Sequence, residues 1–172
     1  KRGGRVAIKN NNLQVHKMLK EIHLDTVVDV LPVPIPVTNF MTIDVECWFH
    51  ASNMRNKAPH SLWHRLPTRI IFNIERILAL LNAHHTKATF FILGWVAENF
   101  PEVVQMIADE GHEIATRGYY HNLITEMTPN EFEDDLLKSL EAINRSTSKP
   151  VRGHRACNFT INELTLWALE IL

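Results

Sequence analysis

Cysteine is nearly missing from this chain of 172 residues: Cys47 and Cys157 are its only two, too few for a disulfide framework. A reducing, cytoplasmic setting is the corresponding expectation. Long apolar runs are missing too. None approaches the roughly 18–20 residues that a helical membrane span requires, so no span is expected. Charge of one sign is also lacking, because 18 Lys and Arg balance 19 Asp and Glu. With no basic block and no interleaved aromatics, neither nucleic acid nor an anionic membrane is an expected partner. The first residue is Lys1, and no charged-then-apolar leader follows it. That beginning predicts no export signal and suggests a piece of a longer chain. No repeat or low-complexity tract is visible. What is present is an ordinary globular composition, 45% hydrophobic and 22% charged, sufficient for one sizeable domain or one plus a fragment.

The chain is organised around Met41-Thr42-Ile43-Asp44-Val45-Glu46-Cys47-Trp48-Phe49. An apolar run that stops at Asp-x-Glu reads as a buried strand delivering two carboxylates to its C-terminal mouth, where chemistry sits in α/β sheets and barrels. Strand alternation places Asp44 and Glu46 on one face, about 6–7 Å apart. One could bind a metal while the other acts as a base; the competing reading is two surface carboxylates in a loop.

Residues 1–31 read as a β-α-β extension: a strand at Arg5-Val6-Ala7-Ile8, an amphipathic helix over 12–22, and a β-rich run ending at Leu31. Its sequence, with Gly3-Gly4-Arg5-Val6, Asn12-Leu13-Gln14-Val15-His16-Lys17-Met18-Leu19 and Leu24-Asp25-Thr26-Val27-Val28-Asp29-Val30, resembles the C-terminal end of a STAS domain. A generic arm packing on the next domain would look the same. Residues 32–37, with Pro32, Pro34 and Pro36, form a stiff linker that forbids helix. The third unit is 38–172. Within it, His50, His60 and His64 read as solvated loop histidines, since their spacing matches no compact metal site. A helix should start at Pro67-Thr68 with Ile70, Ile71, Ile74, Ile77, Leu78 and Leu81 on its apolar face. A strand is expected over 87–93. A helix over 95–110 should be started or interrupted by Pro101 and closed by Gly111. A short strand over 113–115 leads into Thr116-Arg117-Gly118-Tyr119-Tyr120-His121. Thr128-Pro129-Asn130-Glu131 is a capping box opening a helix to about Arg145. Another short strand is expected over 150–155, and a last helix from about Asn162. Alternation of this kind implies a parallel α/β sheet or barrel.

Several segments, in order, carry a resemblance: Asp44-Val45-Glu46, Ala88-Thr89-Phe90-Phe91-Ile92-Leu93-Gly94, Gly111-His112-Glu113-Ile114-Ala115, Arg117-Gly118-Tyr119-Tyr120-His121 and Gly153-His154-Arg155-Ala156-Cys157-Asn158-Phe159. Together they look like the polysaccharide deacetylases, the NodB-like carbohydrate esterases of family 4, in the branch with Asp-Val-Glu. The resemblance implies a partial (β/α) barrel and a hydrolase of carbon–nitrogen bonds other than peptide bonds. Such an enzyme removes N-acetyl groups from an amino-sugar polysaccharide with a divalent metal, zinc or else cobalt or nickel. It implies Asp44 as general base, Arg155 holding that base, and Glu46 and His121 as metal ligands. The metal would polarise the acetamide and a bound water, and Asp44 would take the proton. A cation at Arg155 would keep Asp44 ionised and oriented.

Two departures follow. Arg117 stands where the first metal histidine belongs, and it cannot deprotonate to become a ligand. At ~5 Å and an effective dielectric near 20, its repulsion of a divalent ion is about 6–7 kcal/mol by Coulomb's law. The expectation is an impaired metal site, with Arg117 pairing with Asp44 or Glu46 in place of coordination. Cys157 and Cys47 could supply a thiolate instead, although a buried cysteine is ordinarily inert packing. The second departure is length: nothing after Arg155 matches the family's later histidine, so the barrel is expected to be incomplete at the C-terminus. His112 and His154 are the nearest stand-ins and read as core or wall residues. The alternative function is thus a catalytically impaired fragment or pseudoenzyme, with a binding or regulatory role linked to a STAS-type module.

Overall fold

The computed structural model describes residues 7–9, 29–31 and 39–172. The chain divides into two units, residues 1–39 and 40–172. In the first, β1 (Ala7–Lys9) pairs in parallel with β2 (Asp29–Leu31), Ala7 opposite Asp29. A parallel pair needs a long crossover between its strands. The helix expected over 12–22 and the proline linker lie outside the described residues.

The second unit is built on a parallel sheet of β3 (Thr42–Val45), β4 (Thr89–Ile92) and β5 (Glu113–Thr116), in that spatial order. Helices provide the crossovers: α1 (Ile70–Ala83) before β4, then α2 (Gly94–Asn99) and α3 (Pro101–Asp109) before β5. After β5 come α4 (Pro129–Asn144) and a last short turn, α5 (Ala168–Ile171). This is the α/β architecture of a partial barrel.

The central strand is the most hydrophobic. Phe90 and Ile92 of β4 are fully buried, as are Val103, Val104 and Ile107 on the inner face of α3. Each such side chain contributes about 1.5–3 kcal/mol when removed from water. Pro101 both ends and begins: Phe100 leaves helical geometry between α2 and α3, and Pro101 occupies the first turn of α3, where its missing N–H costs no hydrogen bond. Thr128 caps α4 as the sequence predicts, accepting from the Glu131 amide while the Glu131 carboxylate accepts from the Thr128 amide. Gly94 is fixed by close approach. A Cβ there would lie 2.6 Å from both the Ser139 Cα and the Tyr119 ring, so α2 can seat on α4 only without a side chain.

Four local expectations are corrected. The strand bearing Asp44 is an edge strand rather than a buried one: Thr42 and Asp44 are exposed, Ile43 is half-buried and only Val45 is buried. Residues 150–155 form no regular strand. Pro150 has no amide to donate, and a single bridge joins His154 to Thr116. The last helix begins at Ala168 rather than near Asn162, because Thr165 turns back to bond the Thr160 carbonyl and the Asn162 amide. Residues 50–67 fold into short 3-10 turns, Ser52–Met54 and His60–Arg65. His50 just before them is buried at 3% exposure.

Candidate functional site at the barrel mouth

Register decides which side chains meet. Val45, Ile92 and Thr116 stand side by side at the C-terminal ends of the three strands. The next residues, Glu46 and Arg117, therefore emerge on the same rim. His121 comes from the loop after β5, itself in the left-handed region at φ 59°. His154 bridges Thr116 and brings Arg155 to the other side of Asp44. Residues separated by more than a hundred positions in sequence are thereby gathered at one opening.

Arg117 is the hub. Its guanidinium lies 3.0 Å from Asp44 Oδ2 through Nη1, 3.4 Å from Glu46 Oε2 through Nε, and 3.0 Å from His121 Nε2 through Nη2. The Arg117 side chain is 9% exposed. Glu46 Oε2 also lies 3.0 Å from His121 Nε2. Neither contact of Oε2 is aligned as a hydrogen bond, and both Glu46 Oε2 and Arg117 Nε are buried without a hydrogen-bond partner. Burial raises the Glu46 pKa, but the His121 imidazole and the Arg117 guanidinium beside Oε2 outweigh it and hold the carboxyl below its usual range.

His121 Nε2 faces two incompatible neighbours. It can accept from Arg117 Nη2 or carry a proton toward Glu46, but not both at once. Its Nδ1 is buried without a partner.

On the outer side, Arg155 Nη1 donates to Asp44 Oδ1 at 2.6 Å and Nη2 donates to Thr42 Oγ1 at 2.9 Å. Its guanidinium carbon rests 3.9 Å above the Phe91 ring. The two arginines thus grip opposite oxygens of one carboxylate.

The loop that carries Arg117 and His121 is clamped from α4. Asp135 accepts from the Tyr119 amide at 2.6 Å and the Tyr120 amide at 3.3 Å. Ser139 Oγ bonds Thr116 Oγ1 at 2.7 Å and donates to the Gly118 carbonyl at 3.0 Å. Gly118 has φ +75°, and a Cβ there would meet the Asp135 carboxylate at 2.7 Å. Burial raises the Asp135 pKa despite those two amides. Sequence reasoning missed Asp135 and Ser139. On the sequence they are two more polar residues of an amphipathic helix, and only their tertiary partners mark them.

The expected site residues Asp44, Glu46, His121 and Arg155 are all brought together, with Arg117 among them. The thiols are not. Burial pushes Cys157 up to about 12, and its Sγ donates to the Arg117 carbonyl oxygen at 3.6 Å. Burial likewise raises Cys47, which pairs with Thr68 Oγ1 at 3.0 Å. Neither is a thiolate ready for a metal.

The histidine expectations divide. His60 and His64 are exposed. His50 overturns the solvated-loop reading, because its ring lies 4.4 Å from Trp63, 4.5 Å from Phe49 and 5.1 Å from Trp95. Its Nδ1 accepts from the Cys47 amide at 2.9 Å. Burial in that aromatic cage holds its pKa at about 3, against the pull of Glu46. His112 is a core residue whose Nδ1 accepts from the Ala88 amide at 3.2 Å. His154 is a wall residue of a cleft of about 680 Å³ shared with Asp44, Arg117 and Arg155. Burial and Arg117 hold it near 4.

A catalytic zinc ordinarily takes three protein ligands. Here Glu46 and His121 offer two donor side chains, and the Arg117 guanidinium sits between them and Asp44. Among the described residues no group of three His, Cys, Asp or Glu side chains is arranged to hold a metal ion. The residues present do not fit the ion.

Comparison with known proteins identifies relatives of this chain. The polysaccharide deacetylase family model matches residues 72–172, more than half of the chain. A peptidoglycan deacetylase of Helicobacter pylori is 39% identical over 92 residues, which is 54% of this chain and 31% of that protein. A peptidoglycan-N-acetylglucosamine deacetylase of Bacillus cereus is 41% identical over 70 residues, 41% of this chain and 26% of that protein. The chain thus spans about a third or less of these curated relatives. Among solved structures, a Bacillus anthracis protein described as a CE4 family pseudoenzyme superposes with a TM-score of 0.58 at 21% identity, over 83% of this chain and 45% of that one. That likeness concerns the fold. With more than half of its length matched by that family model, the chain belongs to the polysaccharide deacetylase family.

Proposed function

We propose that this chain binds N-acetylated amino-sugar glycan at the mouth formed by Asp44, Arg117 and Arg155, and that metal-dependent removal of the acetyl group is suppressed in it. One observation carries the reading: the Arg117 guanidinium lies within 3.0 Å of Asp44, 3.4 Å of Glu46 and 3.0 Å of His121. It occupies the place that hydrolysis needs for an ion and neutralises the carboxylates an ion would neutralise. Arg117 lines the cleft with Asp44 and Arg155, and a guanidinium is an N–H donor suited to an acetamide oxygen. The family supplies the ligand class, and the named relatives act on peptidoglycan glycan.

A second reading is favoured by the Asp44–Arg155 hydrogen bond of 2.6 Å. In it the chain is a hydrolase of carbon–nitrogen bonds other than peptide bonds, with Asp44 as general base, Arg155 as its positioning residue, and Glu46 and His121 as ligands of zinc, cobalt or nickel. That reading requires Arg117 to leave the cluster and a third ligand to arrive. A regulatory role beside a STAS-type N-terminal module is part of the first reading.

Zinc titration by calorimetry and acetate release from N-acetylchitotetraose and peptidoglycan fragments separate the two. The first reading expects no stoichiometric zinc and no acetate from the native chain, and one zinc per chain in Arg117→His. One zinc and released acetate from the native chain would establish the second.

A further inference from the structure

Two adjacent residues, neither of them glycine, lie in the left-handed region of the backbone: Asn158 at φ 50° and Phe159 at φ 56°. They are the centre of a tight turn. The Thr160 amide donates to the Cys157 carbonyl across it at 3.1 Å, and with two positive φ values this is the pattern of a type I′ turn. Asparagine is at home in the first central position of such a turn. The second position calls for glycine, and a phenylalanine stands there instead.

The Phe159 ring gains no cover in return for that strain. It is 96% exposed, on the rim of the cleft of about 680 Å³ that it lines together with Asp44, Arg117 and Ile161. A large apolar side chain in water and a backbone held in a costly conformation are two penalties at one residue. One rearrangement relieves both. The mirror-image type I turn has right-handed dihedrals at both central positions and is closed by the same hydrogen bond. Inverting those dihedrals carries a side chain from one face of the turn to the other.

The flanks of the turn are fixed. Cys157 is 3% exposed, and its Sγ donates to the Arg117 carbonyl at 3.6 Å. Thr160 is buried as well: its Oγ1 accepts from the Ile124 amide at 3.2 Å, and its carbonyl accepts from Thr165 Oγ1 at 2.6 Å. A change confined to the two residues between such anchors needs no wider unfolding. Strain of this kind, at the edge of a cleft, is the signature of a segment with two usable states.

We infer that Asn158–Phe159 is a two-state flap at the barrel mouth. Its type I′ form holds the Phe159 ring out in water and leaves the cleft open. Its type I form lays the ring across the cleft and shuts the Asp44–Arg117 cluster off from solvent. Access to the mouth is then set by one turn, whatever ligand the mouth takes, so the inference stands apart from the glycan reading.

The test places para-fluorophenylalanine at Phe159 and follows it by fluorine NMR, with a soluble gadolinium chelate to measure exposure of the ring. In the native chain the signal should show exchange between two environments on the microsecond-to-millisecond timescale. Asn158→Gly favours the left-handed turn and should leave one line at maximal exposure. Asn158→Pro holds φ at about −65°, which forbids that turn, and should cut the gadolinium effect about threefold. Asn158→Ala should move the same way by a smaller step, which keeps the test open where the proline variant does not fold. The amide signals of Phe90 and Ile92 identify folded chain. A single line of equal exposure in the native, glycine and alanine chains overturns the flap, and so does a folded proline variant with the ring fully exposed.

Discussion

The inner and outer walls of the barrel mouth each press an arginine onto Asp44, under different physics. Arg155 lies on the outside with its side chain 34% exposed, bonded to Thr42 and resting on Phe91. Water screens its pairing, and an exposed ion pair of this kind contributes about 0–1 kcal/mol. Arg117 lies inside at 9% exposure, between two carboxylates and an imidazole. There an unpaired charge is expensive, because little water is present to replace a lost partner. The contrast teaches that the same residue type, on the same carboxylate, serves as an adjustable strap in one place and as a structural ion in the other.

The sharpest way to break that contrast is Arg117→Met. It leaves Asp44 and Glu46 without their buried cation, and we expect a loss of about 2–4 kcal/mol, discounted because both carboxylates keep some contact with water. Urea denaturation measures it, and a loss below 1 kcal/mol would mean that Arg117 is no more structural than Arg155. Ser139→Ala comes next. Removing the hydroxyl that joins Thr116 to the Gly118 carbonyl should cost about 1–2 kcal/mol and loosen the Arg117 loop alone. Amide exchange at Gly118 and Tyr119 should accelerate while that of β4 is unchanged. Arg155→Met should cost about 1 kcal/mol or less, since Arg117 still holds Asp44.

The smallest effect sharpens the comparison through pH. Glu46 titrates below its ordinary value in the fold, so its contribution is complete above about pH 4.5 and is lost as pH falls through the lowered folded value. His50 is held neutral to about pH 3. Unfolding lets it take up a proton at its ordinary 6.5, so its contribution is complete above that pH and fades between there and about 3. Both groups make the fold acid-labile. His50→Asn keeps an acceptor near the Cys47 amide and removes the titration. The acid midpoint should then move down by a few tenths of a pH unit in a circular dichroism titration, and an upward move would contradict the linkage.

Local signals made much of the second unit legible. The Thr128–Glu131 capping box, the Pro101 boundary and the 3.6-residue period of α1 each act over a few residues, and each is found where the sequence places it. The family pattern names Asp44, Glu46, His121 and Arg155 together, and the structure gathers them around Arg117. What could not be read were interactions that exist only after folding. His50 looks like a loop histidine until Phe49, Trp63 and Trp95 close around it. Asp135 and Ser139 look like solvent-facing helix residues until the Gly94 approach brings α4 beneath the Arg117 loop. Residues 150–155 carry a strand-like pattern, but backbone pairing is a tertiary event, and only His154 obtains it.

That lone rung leaves the outer wall of the mouth with little backbone pairing. Two backbone bonds, Thr116 N–H to the Gly153 carbonyl and Arg155 N–H to the Thr116 carbonyl, join the segment to the sheet margin. A ladder of one tooth is expected to open locally ahead of global melting, and the Arg155 amide should then exchange faster than that of Ile92.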